Sequence, residues 1–155
     1  MPISKKLKAY LDKAKVEYEP VVHKTVYTTF DLAATLKEKL EKIAKTLLVK
    51  TDKKYVLVVL PGTYKLDVAK LKKVLKAKKA MIANEKMIVK YLKGKPGALH
   101  PFAKMHKIEL VVDEALSKAG KILVRAGSYT DSLRLKVKDL HKLEQAIVGK
   151  IGKKG

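Results

Sequence analysis

The amino-acid sequence predicts a mixed α/β fold, in which a single compact domain packs helices against a largely antiparallel sheet. Short apolar runs rich in β-branched residues are interspersed with segments of helical periodicity along the whole chain. Many links between these segments have the length of a hairpin turn, which favours antiparallel neighbours. The length of 155 residues and the apolar content of 47% agree with one domain that buries a substantial core.

The centre of the predicted sheet is a hairpin. Its strands are the apolar runs Leu47–Val49 and Tyr55–Leu60, joined by the polar loop Thr51–Lys54. Both runs are mostly aliphatic and β-branched, so we expect two adjacent strands that are buried on both faces or nearly so. Pro61 and Gly62 end the hairpin.

Lys45 stands at the start of the first hairpin strand and is followed by the hydroxyl group of Thr46. A lysine that enters a buried strand either extends its ammonium group to water or holds it against an anion. The residue pattern leaves both alternatives open, and in a lysine-rich chain the first is the commoner.

Three elements are predicted before the hairpin. They are the helix Ser4–Lys15, the strand Val16–Val22 and the helix Phe30–Leu40. Ser4 is the expected N-cap of the first helix, and Thr28 or Thr29 can cap the second. His23 has no partner at metal-ligand spacing, which favours a structural histidine in a loop.

Short strands and helices alternate again after the hairpin. The predicted elements are a helix capped by Asp67, the strand Ala80–Ala83, a helix from Asn84 to about Leu92, the strand Ile108–Val112, a short helix over Asp113–Ser117, the strands Ile122–Arg125 and Leu133–Val137, and a last helix from Asp139. The domain is expected to span residues 1–149. The basic tail 150–155 is expected to be disordered and available to phosphate.

The segment from Gly94 to Phe102 is the most distinctive loop of the chain. It holds two glycines and two prolines, which impose an irregular backbone and can expose main-chain N–H groups to a ligand. Its spacing does not fit a Walker phosphate-binding loop. The pattern alone leaves a structural loop and a ligand-binding loop as alternatives.

The charge is the strongest compositional feature. Lysine and arginine number 36 against 15 acidic residues, a net charge of +21, and Arg125 and Arg134 are the only arginines. Such a field attracts polyanions, and lysines contact phosphate without reading bases. The sequence therefore favours shape-based binding of structured RNA, and a merely solvated lysine-rich surface is the alternative.

Several classes of chemistry are disfavoured by the residues present. The chain has no cysteine, which excludes disulfides and thiolate catalysis and favours the cytoplasm. It has no paired-histidine metal motif, nucleophile elbow or glycine-rich nucleotide loop, so we expect no metal and no cofactor. It also lacks the apolar run of a signal peptide or membrane span.

A series of short motifs keeps its order and spacing from about Val21 to Leu140. The motifs are Ala44–Val49, Leu60-Pro61-Gly62, Leu66-Asp67, Leu71, Lys78-Lys79, Gly97–Pro101, Val112-Asp113 and Gly127-Ser128. Each is weak alone. Together they resemble the YbaK and prolyl-tRNA-synthetase-associated editing domains, with Gly97–Pro101 matching the Gly-x-x-x-Pro loop of that family.

The resemblance implies a compact domain around a curved, mainly antiparallel sheet. It also implies a freestanding trans-editing deacylase, a hydrolase that acts on mischarged aminoacyl-tRNA, typically tRNA for proline that carries alanine or cysteine. The implied partners are tRNA and, as a further expectation, prolyl-tRNA synthetase. A non-catalytic tRNA-binding or synthetase-docking module of the same fold is the competing interpretation. Lys45 with an intact Gly97–Pro101 loop favours the enzyme, because a binding module would not need them.

The site residues implied by the resemblance are limited to matching positions. Lys45 is expected to hold the phosphate or ribose oxygens at the 3′ end and to place the ester, with Lys50 the weaker candidate. The expected substrate-binding residues are Thr46, Gly97, Ala98, Leu99, His100, Pro101, Gly127, Ser128 and Ser132. Some branches carry an aspartate or histidine near the last of these, where this chain has Asp131-Ser132. This departure leaves the rejected amino acid open.

Overall fold

The structure is a computed structural model that describes residues 3–155. The described chain forms five α-helices and ten strands, which confirms the predicted mixed α/β domain. The helices are α1 (Lys5–Lys13), α2 (Thr29–Leu36), α3 (Val68–Leu75), α4 (Glu85–Leu92) and α5 (Val137–Glu144). The strands are β1 (Tyr18–Val22), β2 (Ala44–Thr51), β3 (Tyr55–Pro61), β4 (Tyr64–Leu66), β5 (Ala80–Ile82), β6 (Glu109–Asp113), β7 (Lys121–Arg125), β8 (Asp131–Lys136), β9 (Ile147–Gly149) and β10 (Gly152–Lys154).

The largest sheet has five strands in the order β5-β2-β3-β6-β9. Strands β2 and β3 form the predicted hairpin, in which Lys45 lies opposite Leu60 and Lys50 opposite Tyr55. Strand β5 runs antiparallel to β2, whereas β6 and β9 extend the sheet in parallel. Across all sheets of the described chain, five of the seven strand pairings are antiparallel, as the sequence predicts.

A second, antiparallel sheet has the order β1-β8-β7. A parallel bridge between Ile43 and Leu123 brings its strand β7 against the start of β2. The main apolar core includes inward-facing residues of both sheets, among them Leu48, Leu57 and Val124, each at most 1% exposed. The burial of the hairpin confirms the expectation drawn from its apolar runs.

The prediction that residues 150–155 are a disordered tail is wrong. Gly152–Lys154 pairs antiparallel with Tyr64–Leu66, and Ile151 is fully buried. The carboxylate of Asp113 accepts hydrogen bonds from the main-chain N–H groups of Ile151 at 3.0 Å and Gly152 at 2.7 Å. The domain therefore extends beyond residue 149, because a buried carboxylate and a sheet partner hold the chain end.

The helix starts agree with the capping residues. Side chains of Ser4, Thr28, Asp67 and Asn84 accept main-chain N–H groups at the starts of α1 to α4. Helix α2 ends at Leu36 instead of continuing to residue 40, because the next residue adopts a left-handed conformation. The short helix predicted after β6 is a 3-10 turn, and α5 begins two residues before the predicted start at position 139.

Candidate active site

Lys45 lies on β2, where successive side chains point to opposite faces of the sheet. Its ammonium group donates a hydrogen bond to the main-chain carbonyl of Tyr64 at 2.7 Å. Burial, and secondarily the nearby charge of Lys65, lower the pKa of the Lys45 ammonium group. No carboxylate of the described residues forms an ion pair with it, so two of its three N–H donors remain available to a ligand.

A cavity of about 270 Å³, here named the Lys45 cavity, lies beside this strand. Its lining is Tyr27, Thr28, Thr29, Ala44, Lys45, Thr46, Leu47, Leu48, Ile82, Ala83, Ile88, Gly97, Leu99 and Arg125. The hydroxyl oxygen of Thr46 is buried and has no hydrogen-bond partner within the described chain. Four residues of the predicted site, including the lysine, therefore line one cavity.

The Gly97–Pro101 loop is held close to the main chain of Tyr27. Gly97 has a φ of +82°, and a Cβ atom at this position would lie 2.8 Å from the carbonyl oxygen of Tyr27. Glycine is thus required both for the left-handed conformation and for the close approach. The next residue, Ala98, accepts a hydrogen bond from the main-chain N–H of Gly127 at 3.0 Å, which ties the two predicted substrate loops together.

The same loop separates the first cavity from a second one, here named the Asp131 cavity, of about 380 Å³. The predicted residues that line it are Ala98, Leu99, His100, Gly127 and Ser128. Leu99 lines both cavities. The predicted site is therefore two adjacent cavities with a shared loop, instead of the single pocket that the sequence suggested.

Two histidines line the Asp131 cavity. The rings of His100 and His106 stack with centroids 5.5 Å apart, and the His100 Nδ1 atom accepts the main-chain N–H of Phe102. Burial, together with His106, lowers the pKa of His100 to about 4. His100 is therefore neutral near pH 7 and carries its proton on Nε2, so it can donate one hydrogen bond to a ligand.

Asp131 is a buried carboxylate that the sequence did not single out as a ligand. It is 3% exposed, and its Oδ2 atom accepts hydrogen bonds from the hydroxyl groups of Ser128 at 2.7 Å and Thr130 at 3.2 Å. Its Oδ1 atom has no partner within the described residues. The Asp131 carboxylate thus keeps one unpaired acceptor atom, which lies beneath the surface of the cavity.

Two predicted substrate-binding residues line neither cavity. Pro101 is buried, and Ser132 is fully buried and lies 2.9 Å from the Nε2 atom of His23. The Nδ1 atom of that histidine lies 2.8 Å from the carbonyl of Lys24, so Nδ1 donates and the serine hydroxyl donates to Nε2. This pair supports the predicted structural histidine.

Arg125 is the cavity residue that sequence reasoning missed. It ends β7, is 5% exposed, and donates from Nη2 to the carbonyl of Val26, while its Nε atom has no partner within the described chain. Its one sequence signal, a charge at the end of the apolar run Ile122–Val124, does not distinguish it from an arginine with an ion-pair partner. Burial lowers the pKa of the guanidinium group.

No group of three or more histidine, cysteine or acidic side chains among residues 3–155 is arranged to hold a metal ion. Within the same residues, no helix combines the length and the apolar character needed to cross a bilayer.

The family model of the aminoacyl-tRNA editing domain matches residues 23–143. The chain belongs to this family. Both cavities and the loop between them are formed mainly from the matched region. Membership confirms the predicted resemblance and the predicted enzyme class, an aminoacyl-tRNA deacylase.

Named relatives point to the same group. The chain is 28% identical over 144 residues to the prolyl-tRNA editing protein ProX of Acetoanaerobium sticklandii, covering 89% of this chain and 88% of that protein. It is 28% identical over 130 residues to the proline–tRNA ligase of Macrococcus caseolyticus, covering 76% of this chain but 23% of the ligase. The chain therefore matches a whole editing protein but only one part of a ligase.

Solved structures share the fold. A crystal structure of a hypothetical protein has a TM-score of 0.90 at 22% identity and covers 96% of this chain and 100% of that one. A protein proposed to be a trans-editing enzyme for prolyl-tRNA synthetase has a TM-score of 0.82 at 18% identity, with 96% of each chain covered. At these identities the likeness establishes the fold.

Proposed function

We propose that this editing domain acts in trans and hydrolyses alanine or cysteine from mischarged tRNA for proline. The observation that supports this most directly is that Lys45, Thr46 and Gly97 line one cavity. An ester at the 3′ end of tRNA needs an anion-binding group to hold the polymer end and donors to orient its carbonyl. The cavity lining combines a lysine, three threonines and an irregular loop.

In this proposal Lys45 positions the substrate and does not attack it. Its ammonium group, anchored by the Tyr64 carbonyl, keeps two donors for phosphate or ribose oxygens. The attacking group is water, which a neighbouring ribose hydroxyl can orient, because attack by the ribose hydroxyl itself would only form another ester. Catalysis then rests on orientation of the ester and on donors that meet the developing oxyanion.

The charge of the chain is the second support. A net charge of +21 carried almost entirely by lysine favours phosphate contacts over base recognition. The chain alone should therefore prefer tRNA for proline only modestly. A synthetase partner, similar to the ligases that contain a related segment, would supply the remaining selectivity.

The direct test is deacylation of tRNA for proline charged with alanine, cysteine or serine, with the correctly charged prolyl-tRNA as the control substrate. We expect faster hydrolysis of the alanyl or cysteinyl ester and no acceleration for the prolyl ester. If tRNA binds but no ester is hydrolysed faster than in buffer, the non-catalytic binding module of the same fold replaces this proposal.

A further inference from the structure

The two arginines of the chain lie on neighbouring strands in opposite electrostatic situations. Arg134, on β8, forms ion pairs with Glu19 at 2.9 Å and Glu38 at 3.2 Å. Arg125, on β7, forms none with the described residues and has an unpaired Nε atom. A buried cation without an anionic partner is costly, so a compensating ligand is expected.

The lining of the Lys45 cavity indicates the charge of that ligand. It contains two cations, Lys45 and Arg125, and no acidic residue. The bridge between Ile43 and Leu123, two positions before each cation, brings their strands together. Because this bridge is parallel, the two cations lie on the same face of their strands, whereas the side chain of Thr46, the next residue of β2, points to the other face. Cations from two sheets thus line a cavity that has no acidic side chain.

We infer that the Lys45 cavity binds an oxyanion, a nucleotide phosphate group, with Arg125 as a ligand beside Lys45. The assignment rests on the proposed function for the origin of the phosphate, which is the phosphodiester next to the terminal nucleoside of tRNA. A guanidinium fork and an ammonium group match the several acceptor oxygens of phosphate. Arg125 is therefore a substrate-binding residue, in addition to Lys45.

The probes are adenosine 5′-monophosphate and adenosine, measured by titration calorimetry on the full chain at near-physiological salt. We expect the monophosphate to bind one-to-one and adenosine to bind about tenfold to a hundredfold more weakly, the effect of losing a charge-assisted contact. Equal affinity for the two compounds overturns the phosphate site. Displacement of the monophosphate by equimolar N-acetylglutamate also overturns it, in favour of a carboxylate site.

Matched variants separate this site from the general positive field. Arg125→Met should lower the affinity for the monophosphate at least about tenfold, whereas Arg134→Met, at an arginine already paired with carboxylates, should leave it unchanged. Equal losses in the two variants would show that only the surface field attracts the ligand. Arg125→Lys, which keeps the charge but not the fork, should restore part of the affinity.

Arg125→Gln keeps the test decisive if the methionine variant does not fold. It removes the charge but keeps an N–H donor for the carbonyl of Val26, the internal partner of the native side chain. The melting temperature should be maintained while the affinity for the monophosphate falls. Unchanged affinity in a folded Arg125→Gln protein removes this residue from the site and overturns the inference as stated.

Binding and hydrolysis fail separately in these experiments. Calorimetry with the monophosphate requires no turnover. If the protein binds the monophosphate but hydrolyses no ester, the oxyanion site stands and the proposed deacylation is wrong. If the native protein hydrolyses alanyl-tRNA but the Arg125→Met variant binds the monophosphate normally, the proposed activity stands and the Arg125 site is wrong.

Discussion

The Lys45 cavity and the Asp131 cavity share the Gly97–His100 part of one loop but differ in chemistry. The first presents two cations without an acidic residue. The second contains a buried carboxylate and two histidines whose pKa values are lowered, although Lys93 and Lys95 also line it. One loop therefore borders a cationic lining on one side and a lining with a buried carboxylate and two histidines on the other.

This difference indicates how a chain with a net charge of +21 can still select among parts of an anionic ligand. Surface lysines attract any polyanion, but the buried groups decide which part of the ligand fits where. An anionic polymer end suits the Lys45 cavity. A group that donates hydrogen bonds, such as an amine or hydroxyl, suits Asp131.

Replacement of Lys45 should have the largest effect. Lys45→Ala is expected to reduce deacylation a hundred- to a thousandfold, about 2.7–4 kcal/mol, because it removes a preorganised donor. The measurement is single-turnover hydrolysis of mischarged tRNA at low and high salt, and the loss should be insensitive to salt.

Lys50→Ala is the matched control, since it removes the same charge from the same strand. Its ammonium group is exposed and lies 5.8 Å from the centre of the Tyr55 ring, and an odd spacing puts it on the other face of the strand from Lys45. We expect a small loss that salt reduces. Equal effects of both substitutions would mean that Lys45 only contributes to the overall positive charge of the protein surface.

The second prediction concerns acid stability and the Asp131 cavity. His100 has a folded-state pKa of about 4, whereas an unfolded histidine has a pKa near 6.5. The unfolded chain therefore binds the proton first, and stability on the order of 3 kcal/mol is lost as the pH falls from about 6.5 to 4.

His100→Asn tests this, because the asparagine side chain can still accept the N–H of Phe102. Chemical denaturation at pH 7 and pH 4.5 should show a smaller decrease in unfolding free energy for the variant than for the native chain. The same decrease in both would assign the acid sensitivity to other groups, among them His106 and His141, whose pKa values burial also lowers.

The third prediction concerns the size of the Asp131 cavity. Ala98 is fully buried in its lining, so Ala98→Leu should crowd it and reduce deacylation about tenfold, while tRNA affinity changes little. Ala103→Leu is the control for overpacking, since Ala103 is 1% exposed and lines neither cavity. If the two variants behave alike, the Gly97–Pro101 loop has only a structural role on this side.

The smallest expected effect concerns the positive electrostatic field of the surface lysines. The logarithm of tRNA affinity should fall linearly with the logarithm of salt concentration, with a slope that corresponds to several phosphate contacts. Filter binding over a salt series measures it. A slope near one ion would show that the lysines mainly solvate the surface.

Local signals made much of the fold predictable. The hairpin follows from two apolar runs, and the starts of the first four helices follow from capping residues such as Asp67 and Asn84. The missed strands β4, β9 and β10 are three residues long, and their pairing depends on partners distant in sequence. Such short strands carry too little periodicity to be recognised.

Candidate site residues could be named from the sequence, but their geometry could not. Motif order indicated Lys45 and the Gly97–Pro101 loop, yet it could not indicate that the loop divides two cavities. Nor could it indicate that the lysine is anchored by Tyr64, a residue outside every motif. Arg125 escaped notice because its importance lies in the absence of an ion-pair partner, which only a folded structure reveals.

The ordered segment 151–154 links the Lys45 ammonium group to a buried carboxylate two strands away in the same sheet. Asp113 fixes the main chain at the start of β10, β10 pairs with β4, and the β4 carbonyl of Tyr64 accepts the hydrogen bond of the lysine. Loosening of the last strand would therefore increase the conformational entropy of the Lys45 ammonium group. Under the proposed function, the precision of substrate placement depends in part on Asp113 and β10.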